Sequence, residues 1–127
     1  MITDNELIAR ALSATNPRTL SPNASCGTVG SAIVTEEENV YTGVCIDTAC
    51  SMGFCAEHAA AAAMITAGES RVITVVAVGA DGTVMSPCGR CREFLSQLDP
   101  GNTETRVLLA GGRVVSLRSL LPEYWAE

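Results

Sequence analysis

Residues 72 to 78, Val-Ile-Thr-Val-Val-Ala-Val, form an almost continuous β-branched run. Such a run suits a strand buried on both faces, since a half-wet strand alternates apolar and polar side chains. The chain has 127 residues, 47% of them hydrophobic, which suffices for one domain with a real core over residues 1–127. Aromatics are only 4%, so that core should be built from small and β-branched side chains.

Upstream of the run, Leu7, Ile8, Ala11 and Leu12 share one face at helical spacing behind Asp4, which can cap a helix over residues 4–15. Asn16 to Gly27 is rich in Pro, Ser and Asn, lacks periodicity, and reads as a loop. Thr28 to Thr35 and Val40 to Ile46 read as antiparallel strands joined by the polar turn Glu36-Glu37-Glu38-Asn39. Cys55 to Ala67 is a slim alanine-rich helix closed by Gly68. Asp81-Gly82 turns the chain out of the β-branched strand, and Pro87 introduces a third helix from Cys88 to Leu98. Arg106 to Ala110 and Val114 to Leu117 flank Gly111-Gly112 as final strands before a short tail helix. This order points to a layered α/β domain with a mixed sheet.

Fourteen acidic residues stand against eight Arg and no Lys, a net charge of −6. No basic stripe is available to neutralise phosphates, which argues against nucleic acid and for a small uncharged ligand. No window approaches the roughly 18 uninterrupted apolar residues of a membrane span, so no membrane partner is expected. The start lacks a secretory profile, and the protein reads as cytoplasmic.

Six cysteines in a reducing compartment suggest metal or catalytic thiols before disulfides. Cys88 and Cys91, at i and i+3 of a helix start, point their sulfurs the same way, and Cys55 opens the other helix. The dipoles of two helix N-termini favour three thiolates around one cation. Zn²⁺ accepts such donors, and a catalytic zinc keeps three protein ligands with the fourth position open to water. Glu57, two residues after Cys55, is placed to hydrogen-bond that water and reads as the proton shuttle. His58 is a candidate for a hydrogen bond to a thiolate, and Arg92 for offsetting the charge of the cluster. Together they describe metal-activated hydrolysis with one Zn²⁺ per chain.

At Cys55-Ala56-Glu57 and Pro87-Cys88-Gly89-Arg90-Cys91 the chain resembles the cytidine deaminase superfamily, of the small homotetrameric cytidine deaminase and blasticidin S deaminase type. Thr28 to Ala32, Tyr41-Thr42-Gly43, Ser86 to Arg92 and Leu120-Leu121-Pro122 extend the similarity. The resemblance implies a three-layer α/β/α fold with a five-stranded mixed sheet. It implies hydrolytic deamination of a cytidine-like aminopyrimidine, with Glu57 passing protons from the attacking water to ring N3 and the departing amine. It also implies a homotetramer with shared active sites, in which Trp125 reaches a neighbour's pocket, and it puts Cys45, Asp47 and Ala56 among the substrate-binding residues.

Cytidine deaminases carry Gly-x-Asn-x-Glu on the second strand to hold the ribose, whereas this chain has Gly43-Val44-Cys45-Ile46-Asp47. Asp47 can accept from a hydroxyl at shorter reach, but Cys45 lacks an amide's paired donor and acceptor. Gly27 replaces an aromatic before the first strand, and the ending resembles blasticidin S deaminases, so a modified aminopyrimidine is the alternative substrate. Other readings are a closed zinc with Cys50 or His58 as fourth ligand, a Cys-x-x-Cys redox protein, and a deaminase fold that only binds ligand.

Overall fold

The computed structural model describes residues 1–126. Thr3, rather than Asp4, caps the first helix, α1 (Asp4–Ala14), by accepting from the Glu6 amide at 3.1 Å. Asp4 instead takes both terminal nitrogens of Arg106, at 2.8 and 2.7 Å, and so ties the helix start to a distant strand.

The stretch from Asn16 to Gly27 is not a loop. It holds β1 (Arg18–Ser21) and the start of β2 (Ala24–Thr35), which form a hairpin about Pro22-Asn23. All four residues of β1 are exposed, so no apolar alternation marks the strand in the sequence. β3 (Val40–Thr48) runs antiparallel along the other edge of β2, since Cys26 pairs with both Arg18 and Ile46. Gly27, at φ +86°, sits in the register shift between Cys26 and Gly30.

After α2 (Ala56–Thr66) the β-branched run becomes β4 (Val72–Gly79), antiparallel to β2. β5 (Val84–Met85) folds back on the end of β4 and leads into α3 (Gly89–Gln97). β6 (Arg106–Leu108) lies parallel to β4, and β7 (Val114–Ser116) closes the other edge antiparallel to β6. The sheet is mixed as expected, but it has seven strands rather than five. The two extra strands, β1 and β5, are too short or too wet to leave a pattern. The expected tail helix is a 3-10 turn at Leu117–Leu120.

The layers follow from the alternation of side chains along β2 and β4. Val34, Val76 and Val78 face α1, where they pack with Leu7, Ala11 and Leu108. Ile33 and Val75 face the opposite way, against Ala60, Ala61 and Met64 of α2 and Leu95 of α3. The helices approach closely because the sheet offers glycine beneath each. A Cβ on Gly30 would lie 2.1 Å from the Ala11 carbonyl oxygen, and one on Gly43 would lie 2.5 Å from the Ala60 nitrogen.

Asn102, in the turn Pro100–Glu104, joins the helical layer to the sheet and is fully buried. Its Oδ1 accepts from the Val72 amide at 2.9 Å, and its Nδ2 donates to the carbonyls of Ser70 and Leu95 at 3.0 and 2.9 Å. Asn102→Ala removes three hydrogen bonds, leaves the buried Val72 amide unpaired, and should cost about 3 kcal/mol in urea unfolding. A loss under roughly 1 kcal/mol would show that the site relaxes or admits water.

Candidate active site

Cys55 stands at the N-cap of α2, Cys88 at the N-cap of α3, and Cys91 in the first turn of α3. Cys55 makes no capping bond to its own helix, so its thiol remains free to face Cys88. Both helices start at the end of the sheet where β3 and β4 finish and β2 begins. Sγ of Cys88 lies 3.4 Å from Sγ of Cys55 and 3.4 Å from Sγ of Cys91. All three sulfurs fall within 4.8 Å of one another, and among the described residues they are the group able to hold a metal ion.

Zinc–sulfur bonds of about 2.3 Å set the edges of a tetrahedron at roughly 3.8 Å, so the donor set fits one zinc with a position left open. The electrostatics agree. Burial pushes the Cys91 thiol far up, with the Glu57 carboxylate and the neighbouring sulfurs adding to it. Burial and the Cys88 thiol raise Cys55 as well. Burial works against ionisation of Cys88 too, but hydrogen bonds from the Cys91 amide and the neighbouring thiols hold it below the usual thiol range. A divalent cation relieves the mutual opposition of such groups.

Glu57 is 4% exposed, and burial raises its carboxyl above the usual range. It lines a cavity of about 250 Å³ together with Cys55, Ala56 and Cys88, and Cys45 and Asp47 border the same space. The structure thus brings six of the expected site residues to one cavity, with Cys91 behind it against Cys88. Cys45 is buried, and its sulfur sits 3.3 Å from Oγ1 of Thr28.

His58 flanks this cluster, with Nδ1 3.4 Å from Sγ of Cys91. Its ring stacks on Phe94 at 4.3 Å and 11°, and burial and the Arg90 charge lower its pKa. Arg92 turns away from the thiols. Its guanidinium donates to the carbonyls of Pro87 and Leu120, at 2.8 and 3.4 Å. The cation near the site is Arg90, which donates to the Gly53 carbonyl at 3.2 Å and borders a second cavity beside Cys55. Trp125 lies on the α3 side of its own chain, where Nε1 donates to Glu93 at 2.7 Å, and it does not line the Glu57 cavity.

Thr28, Met85 and Ser86 also line the cavity and were not picked out as site residues from the sequence. Thr28 enters because β2 starts where β3 ends. Met85 enters because β5 folds back on β4, a pairing two residues long. Phe94, one turn after Arg90, carries the only other signal: an aromatic on the same helix as the Cys-x-x-Cys pair.

An α/β/α fold whose two helix starts gather three thiols beside a cavity lined by a buried carboxyl has the donor set of a zinc-binding class of proteins. Residues 1–105 match the family described as the cytidine and deoxycytidylate deaminase zinc-binding region, and the chain belongs to that family. It is 34% identical to a cytidine deaminase of Mycobacterium tuberculosis over 77 residues, 60% of this chain. That stretch spans 56%, just over half, of the length of the relative. The fold is similar to the crystal structure of cytidine deaminase from Mycobacterium leprae, with a TM-score of 0.81 and 28% identity over 97% of this chain and 100% of the other. Cytidine deaminase from Burkholderia pseudomallei gives a TM-score of 0.79 and 28% identity, with 98% and 100% covered.

Cys91→Ala should reduce zinc, measured by elemental analysis of purified protein, from about one per chain to a small fraction. Full zinc content in that variant would remove Cys91 from the ligand set.

Proposed function

We propose that the protein hydrolytically deaminates a cytidine-like aminopyrimidine nucleoside, releasing ammonia and a uridine-like product. The observation that carries this reading is the buried carboxyl of Glu57 opening into the same cavity as the Cys55 and Cys88 thiols. Cys55, Cys88 and Cys91 would hold one zinc, which when bound supplies Lewis acidity that brings a water's pKa to about 7. Glu57 then takes the proton of the water that attacks C4. It delivers that proton to ring N3, and carries the second one to the amine, which leaves as ammonia. Its burial keeps both transfers out of bulk solvent.

His58 acts on the ligands, donating Nδ1–H to the Cys91 sulfur while Phe94 fixes the ring. The relatives named cytidine deaminase support cytidine and deoxycytidine as first substrates. A modified aminopyrimidine such as blasticidin S is the second reading, favoured by Cys45. That thiol is engaged with Thr28 and offers a sugar no amide. We take the working unit to be a homotetramer with shared sites, a reading supported by Trp125, 71% exposed on one chain. No helix among the described residues is long and apolar enough to cross a membrane, and the six free thiols suit the reducing cytoplasm.

Ammonia release from cytidine, deoxycytidine, cytosine and blasticidin S tests the reading, with turnover of at least one expected. Glu57→Gln should retain zinc and lose roughly a thousandfold in kcat, and undiminished turnover would take Glu57 out of the mechanism. His58→Ala should loosen zinc by about 10- to 100-fold in chelator competition, and unchanged affinity would make His58 a packing residue only.

A further inference from the structure

We propose that the active-site cavity continues past Asp47 into a polar groove along the β1–β2 hairpin, and that this groove binds a long, donor-rich, unphosphorylated substituent on the pyrimidine ring nitrogen N1. The proposal rests on the deaminase reading for the ring end and adds a subsite for the other end.

Asp47 borders three cavities. The inner one, about 250 Å³, holds Glu57. A second, about 300 Å³, shares Cys45, Asp47 and Cys55 with it. The third, about 470 Å³, shares Asp47 and Thr48 with the second and lies against the hairpin.

Strand register sets what this groove displays. Thr19 pairs with Ser25 across β1 and β2, and Ser25 pairs with Asp47 across β2 and β3. Cross-strand partners project from the same sheet face, with neighbouring strands about 4.8 Å apart. Thr19, Ser25 and Asp47 thus form one row, roughly 10 Å long, leading away from Cys45. None of these three side chains, nor that of Thr48, has a hydrogen-bond partner among the described residues. The hairpin under the row is anchored, since the Ala49 amide donates to the Asn23 carbonyl at 3.1 Å.

The chemistry of the row selects its ligand. It offers hydroxyls and one carboxylate, and no cationic side chain lines the hairpin cavity, Arg90 bordering only the second cavity nearer the ring. Phosphate is disfavoured there, whereas ligand hydroxyls or an ammonium group meet acceptors. Either source of donors fits, and Asp47 distinguishes them.

The test compares N1-methylcytosine, cytidine, cytidine 5′-monophosphate, and two cytidines extended at the 5′-oxygen, one by a sugar and one by an aminoalkyl chain. Ammonia release and calorimetric binding are measured for each on the zinc-loaded protein. At least one extended compound should exceed cytidine about tenfold in kcat/KM, through KM, and the monophosphate should fall about tenfold below it. Ser25→Phe, which blocks the row, should cut the ratio of extended compound to cytidine about tenfold. Thr19→Phe on the exposed edge strand repeats this if Ser25→Phe does not fold. Asp47→Asn should remove the advantage of the amine while leaving more of the sugar's. Cytidine turned over as well as both extended compounds, with equal affinities, overturns the groove. So does a Ser25→Phe variant that changes subunit association in sedimentation but leaves the ratio intact, because the groove is then an interface. If no compound releases ammonia yet an extended one binds tenfold tighter than cytidine, the groove stands and the deaminase reading falls.

Discussion

Because β4 has no wet face, helices have to cover it on both sides, and the position of the reactive groups follows from how they do so. Each buried valine contributes roughly 1.5–3 kcal/mol by leaving water, provided that a partner surface meets it. On one face that surface is α2 and α3, which begin side by side at one end of the sheet. Gly43 lets the alanine helix sit close enough that its first turn reaches the ends of β3 and β4. A bulkier pair at this contact would lift α2 and separate Cys55 from Cys88.

The juxtaposition has an electrostatic cost that defines its use. Cys91 is buried and Glu57 is nearly so, and both resist ionisation in that setting. Helix-start amides favour the thiolate of Cys88, yet three ionised sulfurs beside a carboxylate need a cation. A zinc ion would balance the cluster, and His58, held flat against Phe94, sets Nδ1 3.4 Å from the Cys91 sulfur on its flank. The family match and the donor set thus agree on the metal.

The thiol cluster and the carboxyl proposed to act beside it could be picked out in the sequence because their geometry is local. Cys88 and Cys91 are one helical turn apart, and Cys55 and Glu57 share a helix start, so the spacing alone orients them. The hairpin at residues 16–27 was illegible for the opposite reason. Its strand β1 is exposed throughout, and only pairing with β2 makes it a strand. The choice of Arg92 over Arg90 as the cation beside the thiols failed for the same reason. Both flank Cys91, and which of them lies near the site depends on whether the Gly53 carbonyl or the Pro87 and Leu120 carbonyls take the guanidinium.

What the sequence by itself determined is therefore the buried central strand, the three α-helices, and the thiols able to hold a metal ion with a carboxyl beside them. Each is a property of neighbours along the chain, set by periodicity and capping. The tertiary structure alone decided the seven-stranded sheet, the cavity shared by Thr28, Met85 and Ser86, and the row from Thr19 through Ser25 to Asp47. Those depend on strand register and on how closely helices approach a sheet, which are set by contacts between residues far apart in the chain.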